Sequence, residues 1–332
     1  MQASKRSGSA WMEYRPEFER NSHDRIALVA DLRRALDEDA LELYYQPKVA
    51  LADGQLVGVE ALVRWNHPER GFVPPDQFVP LAERTGLISD LTRFVLRTAA
   101  ATAEHWYLQG YLLPIAVNLS ALDLLDGSLA DHVGQLLTRY AVPAHLLSFE
   151  ITETSFVSDL DRSLASMERL CELGCTLAVD DFGTGYSSLT YLRRMPVSEV
   201  KIDRSFVADL LHDQSAEVIV RATTDLGHHL GLEVVAEGVE DDDVARRLRE
   251  LGCDFAQGYG IARPMSRIAL DAWLESDDAR PVRRPRPSRQ NRRDAAPEAS
   301  GADAGAGAPG APGAPGAPNV VQFPGRPNRR TA

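Results

Sequence analysis

Cysteine is scarce in this chain, with three residues among 332. So few exclude a disulfide framework and point to a reducing compartment. No apolar run approaches the roughly 18–20 residues of a membrane span, and the opening MQASKRSGSA lacks the apolar centre of a secretory signal. The expectation is a cytoplasmic protein without membrane contact. Positive charge is also short. A net charge of −12 argues against general binding of DNA, RNA or anionic lipid. Lysine is nearly missing, since only Lys5, Lys48 and Lys201 accompany the arginines. Lys201 lies in an apolar strand-like run beside an aspartate. A lysine can give up its proton and an arginine cannot, so its use there calls for a reason.

What is present is globular in balance, with 44% apolar and 25% charged residues. Residues 1–23 are polar and patternless, like a linker. From Asp24 to Ala40 a helical period appears, carried by Ile26, Leu28, Val29, Leu32 and Leu36. Residues 24–276 form the candidate folded domain. Residues 277–332 carry half of the prolines and ten basic against five acidic residues, with four Gly-Ala-Pro triplets between Gly307 and Pro318. That composition predicts a disordered tail. Its arginines between Arg280 and Arg293 would suit either a solvated linker or contact with an acidic partner.

Strand-like runs lie near 42–48, 56–64, 113–118, 146–151, 176–181, 198–202, 232–236 and 253–257. Helical stretches at 88–108, 127–139, 160–173, 213–229 and 241–251 separate most of them. This alternation predicts a parallel sheet covered by helices, and eight strands in this length fit a TIM-type (β/α)8 barrel. The short turn Ala52-Asp53-Gly54 leaves no room for a helix. One strand near the start should therefore run antiparallel.

Polar groups collect where these runs end. Glu60, Leu62 and Arg64 share one face of the second by period-two alternation. Asn118 ends the third, Glu150 and Thr152 the fourth, Asp180 and Asp181 the fifth, Lys201 and Asp203 the sixth, Glu237 and Glu240 the seventh, and Gln257 with Tyr259 the eighth. Barrel sites form at that end. Five of these acids, Glu60, Glu150, Asp180, Asp181 and Glu237, converging on one mouth would repel unless Lys201 and divalent cations offset them. An all-oxygen set with an asparagine carbonyl suits Mg²⁺ or Mn²⁺. Adjacent Asp180 and Asp181 cannot both face inward in a regular strand, but both can reach the mouth at a strand end. A paired-metal site of this kind is typical of phosphodiester hydrolysis.

The same segments resemble the EAL family of cyclic di-GMP phosphodiesterases. The likeness runs through Tyr-Gln46-Pro-Lys, Val-Glu60-Ala-Leu62-Val-Arg64-Trp, Asn118-Leu-Ser and Glu150-Ile-Thr-Glu153. It continues through Asp180-Asp181-Phe-Gly-Thr-Gly, Val-Lys201-Ile-Asp203, Ala-Glu237-Gly-Val-Glu240 and Gln257-Gly-Tyr259. The resemblance implies that Glu60, Asn118, Glu150 and Asp180 hold one metal, that Asp180 and Asp181 hold a second, and that Glu237 completes the cluster. It implies that Lys201 contacts the water between the metals and that Gln257 positions water or substrate. Glu153 would anchor the loop from Phe182 to Ser188, which is similar to the family's homodimer contact. Gln46, Leu62 and Arg64 would line the dinucleotide site, with Arg64 at a phosphate. The implied reaction is metal-dependent hydrolysis of cyclic di-GMP to linear pGpG, by in-line attack of a metal-bound hydroxide.

Other readings stand beside these. The barrel could be a catalytically silent cyclic di-GMP receptor or a protein-interaction scaffold. Asp203 could cap the helix that starts at Arg204, or pair with Lys201. Glu153 and Glu240 could be surface caps, and Gly183 and Gly185 turn glycines. Trp65, Phe182 and the three cysteines read as packing residues. The stretch from Met12 to Arg33 resembles the linker between GGDEF and EAL domains. With Met at residue 1, a shortened relative is the expectation.

Overall fold

The computed structural model describes residues 16–152, 159–183, 189–276, 279 and 281–283, the side chains of 16–23 and 189–190 excepted. The strands are β1 (Glu42–Ala50), β2 (Leu56–His67), β3 (Gly71–Val73), β4 (Ile115–Leu119) and β5 (Leu147–Thr152), followed by β6 (Thr176–Phe182), β7 (Glu199–Ile202), β8 (Glu233–Ala236), β9 (Phe255–Gln257) and β10 (Met265–Ser266). Eight of them close into a barrel in the order β1-β2-β4-β5-β6-β7-β8-β9, with β9 pairing back to β1. Neighbours from β2 and β4 round to β9 are parallel, whereas β1 is antiparallel to both β2 and β9. The fold is the expected TIM-type barrel with one reversed strand. β3 and β10 extend the sheet beyond β2 and β1.

The pattern follows from burial. Leu147, Phe149 and Ile151 on β5, and Val234, Val235 and Ala236 on β8, have almost no exposed surface, as parallel strands under helices require. The helix Ile88–Leu108 buries Leu91, Val95, Ala99, Ala103 and Trp106 along one stripe. Tyr45 of β1 meets that helix through a 2.8 Å hydrogen bond to Thr102 and an edge-on contact with Trp106. The β1–β2 turn closes at Gly54, whose φ of 72° is one that glycine adopts without strain.

Three additions lay beyond the sequence expectation. The helix Pro75–Thr85, absent from the expected helical stretches, starts with proline at its first position and contains Pro80. Short helices at Ala121–Leu124 and Arg267–Leu274 are opened by side-chain caps from Ser120 and Ser266, while Arg204–Ala208, opened by Asp203, is the helix expected there. The chain past Ser276 returns to the barrel. Ala279 is buried, Leu112 N donates to Val282 O at 2.9 Å, and Arg283 donates to the Tyr111 hydroxyl at 3.0 Å. These contacts carry the compact unit past residue 276. Residues 284–332, the rest of the expected disordered tail, lie outside the described residues. Among the described residues no helix is long and apolar enough to cross a membrane.

Candidate active site

Strand register brings the predicted residues to one end of the barrel. Gln46 of β1 pairs with Glu60 of β2, and Asn118 of β4 pairs with Glu150 of β5. Thr152 pairs with Asp180 of β6, and Lys201 of β7 lies beside Val235 of β8. Since side chains alternate, each inward residue stands one step from its neighbour around the rim.

Lys201 is the centre of this arrangement and is wholly buried. Its Nζ lies 2.5 Å from Glu237 Oε1, 2.8 Å from Glu150 Oε2, 3.2 Å from Asp180 Oδ1 and 3.9 Å from Glu60 Oε2. Four carboxylates therefore share one ammonium. Burial alone would discharge the lysine, but Glu150, Glu237 and the other acids outweigh it and hold its pKa well above the usual lysine range.

The acids divide. Burial pushes Glu60 up, yet Lys201 and the amides of Asn118 and Gln257 outweigh it and hold it below the usual glutamate range. The hydrogen bonds are Asn118 Nδ2 to Glu60 Oε1 at 2.7 Å and Gln257 Nε2 to Glu60 Oε2 at 2.5 Å. Glu150 is raised well above the ordinary value, by burial first and then by Glu60, Asp180 and Glu237 in spite of Lys201. Glu237 is pushed up to about 7, again by burial and by Asp180 and Glu60 against the pull of Lys201. Asp181 rises to about 6 through burial and the charges of Asp180 and Asp203.

The Asp180–Asp181 pair reaches the mouth through a break in β6. Register with β7 shifts between Val179 and Phe182, and Asp181 takes a left-handed φ of 55°. A side chain there is uncommon outside Asn, Asp and Gly. Both acids are thereby released from strict alternation. Asp180, Asp181 and Glu237 each offer a carboxylate oxygen within 4.8 Å of the others.

These residues fit a divalent metal. The donors are all oxygen, and one ammonium leaves the cluster with excess negative charge. Asn118 gives its Nδ2 to Glu60, which leaves Oδ1 for a cation. Asp203 is a helix cap, accepting from Ser205 N at 3.0 Å, and Lys201 takes its four partners elsewhere. Glu153 and residues 184–188 of the expected loop lie outside the described residues.

Above the acids is a cavity of about 240 Å³ bordered by Gln46, Leu62, Glu237 and Gln257. Gln46 is tied to Gln257 at 3.3 Å and to Ala262 O at 3.2 Å. Arg64 lies further out. It borders grooves of about 500 and 660 Å³, stands over the Tyr44 ring, and donates to Val63 O at 3.0 Å. Partial burial lowers its pKa. One close approach holds the rim together. A Cβ on Gly258 would overlap the Val239 backbone, and the Val239 N–H donates to Gln257 O at 3.1 Å. Arg204 and Glu240 also border the cavity. Sequence reasoning passed over Arg204, because an arginine after a helix cap reads as surface.

Fold and site define a barrel whose mouth carries an oxygen-only donor set. A family model described as EAL domain matches residues 29–264, and the chain belongs to that family. It is 46% identical over 247 residues to the bifunctional diguanylate cyclase/cyclic di-GMP phosphodiesterase MucR of Pseudomonas aeruginosa, covering 74% of this chain and 36% of that protein. It is 42% identical over 237 residues to the cyclic di-GMP phosphodiesterase RocR of the same organism, covering 71% of this chain and 60% of that protein. The solved PaMucR phosphodiesterase in complex with c-di-GMP superposes with a TM-score of 0.71 at 45% identity, over 74% of this chain and 99% of that one. The chain spans 34–46% of the length of the first curated relatives it matches.

Proposed function

We propose that this chain hydrolyses cyclic di-GMP to linear pGpG in a reaction that depends on divalent metal, Mg²⁺ or Mn²⁺. The observation that carries the reading is the convergence of Glu60, Glu150, Asp180 and Glu237 on one buried ammonium, with Asp181 brought to the same mouth. Its support is the family, and relatives whose names give this activity.

Glu60, Asn118, Glu150 and Asp180 would hold one ion, Asp180 and Asp181 a second, with Glu237 completing the set. When bound, such ions lower the pKa of water and neutralise charge growing on phosphorus. The chain's own groups do the rest. Lys201, at the centre of the acids, would contact the nucleophilic water and help deprotonate or orient it. Gln257 holds Glu60 and can turn its amide to water or substrate. Gln46, Leu62 and Arg64 would line the dinucleotide site, with Arg64 at a phosphate. Glu153 would hold the loop at 182–188, through which a homodimer would form. The domain runs from about residue 24 through the last described contacts at 281–283.

The test is incubation of cyclic di-GMP with the purified protein in Mg²⁺ or Mn²⁺, with and without EDTA, beside Glu60→Ala. Metal-dependent pGpG that disappears in the variant is the expected result. Nucleotide binding without product would make the chain a receptor instead. Neither binding nor product would leave a scaffold.

A further inference from the structure

Four carboxylates border the mouth cavity, from Glu60, Asp180, Glu237 and Glu240, and a single arginine, Arg204, stands among them. Its place is fixed from two sides. Asp203 caps the helix Arg204–Ala208 directly after β7, so Arg204 stands three residues past Lys201. Across from it, the turn after Glu237 passes through Gly238 at φ +70°, where an added Cβ would lie 2.5 Å from Arg204 Cβ. The absence of a side chain at 238 brings the Arg204 backbone against the loop that carries Glu237.

The Arg204 side chain is exposed, and no ion pair or hydrogen bond joins its guanidinium to another described residue, although acids border the same space. Arg64 differs. It lies in the outer grooves and its guanidinium already bonds Val63 O. Among the described residues the mouth therefore holds one uncommitted guanidinium, beside the acid cluster.

A cyclic dinucleotide has two phosphodiesters, each singly negative, and only one is cut. The cut one is received by the acid cluster with its cations. The other enters a cavity bordered by acids and needs a cation of its own. A guanidinium, permanently charged and forked, is the side chain best matched to a phosphate. Resting on the proposed activity, we propose that Arg204 binds the phosphodiester that is not cut, and so sets the preference for a cyclic dinucleotide over a simple phosphodiester.

The test compares two substrates in Mn²⁺ for wild type, Arg204→Ala and Arg204→Lys. Cyclic di-GMP has the second phosphate and bis(p-nitrophenyl) phosphate does not. Arg204→Ala should lose about tenfold to a hundredfold in kcat/KM on cyclic di-GMP, mostly through KM, as expected for a charge-assisted hydrogen bond. Its loss on bis(p-nitrophenyl) phosphate should be smaller by at least about tenfold, and Arg204→Lys should fall between. Equal losses on both substrates, or no loss on cyclic di-GMP, would overturn the proposal. Calorimetric titration with a hydrolysis-resistant phosphorothioate analogue of cyclic di-GMP separates this from the activity itself. A wild type that binds the analogue but cuts neither substrate would end the catalytic reading, and Arg204 would then stand or fall on whether Arg204→Ala weakens binding tenfold. A wild type that neither binds nor cuts would overturn both.

Discussion

Replacing Lys201 with methionine removes the ammonium that, among the described residues, pairs with a nest of four acids. Breaking a buried charge cluster from one side costs about 3–5 kcal/mol. Lys201→Met should therefore lower the Tm sharply in EDTA and recover part of it in Mg²⁺, with kcat at least about a hundredfold down. Equal Tm values for variant and wild type in EDTA would contradict the charge count. The acids predict a pH effect of definite sign. Glu237 rises from 4.5 to about 7 on folding, so the folded state keeps a proton that the unfolded chain has lost between those values. The stability this proton confers is complete below about 4.5 and declines as pH rises towards 7. Asp181, raised from 3.8 to about 6, acts in the same direction. In EDTA the Tm should fall between about pH 5 and 7.5, and saturating Mg²⁺ should flatten the slope; a flat profile in EDTA would refute this. At this scale the acids, Asn118 and Lys201 were legible because each ends an apolar run. Arg204 was not, since its meaning comes from Gly238, which is distant in sequence and adjacent only in the folded barrel.

Elements were legible where their period was long and uninterrupted. The helix expected at 88–108 is observed over the same span, and all eight barrel strands lie within a few residues of their runs. The helix at Pro75–Thr85 escaped because its start signal is proline, which also starts loops. The break in β6 was foreseen only as a need for two adjacent acids to reach one place, and a register shift supplies it. Two predictions belong to elements. Gly238→Ala presses a Cβ into Arg204 at a left-handed φ and should cost about 1–3 kcal/mol by chemical denaturation. At the other end of the barrel, Lys48 of β1 and Glu199 of β7 form a nearly buried pair at 2.6 Å. Lys48→Met should destabilise by about 3 kcal/mol, and adding Glu199→Leu should recover most of it, because the loss comes from the stranded charge. Non-recovery would show that other contacts of Lys48, such as its ammonium over the Phe255 ring, matter more than the pair.

At the scale of the whole molecule, the three cysteines are free, and burial pushes the thiols of Cys175 and Cys253 up to about 12 and about 11. The native protein should titrate at most one thiol with a disulfide reagent, that of half-buried Cys171, and three after denaturation. Ending the chain at Ser276 should lower the Tm relative to ending it at Arg284, because Ala279, Val282 and Arg283 contact the barrel. That return was illegible beforehand, since its prolines and arginines share the composition of a linker. The reversed strand carries a further consequence. The barrel closes only where β1, near the start of the domain, meets β9 and β10, some two hundred residues later. Gln46 and Glu60 lie on one side of that seam and Gln257 on the other, so the mouth is completed across it. A chain still emerging from the ribosome has no such mouth. Until the last strand is released and the seam shuts, the proposed site is incomplete, and fragments that end early should be silent rather than partly active.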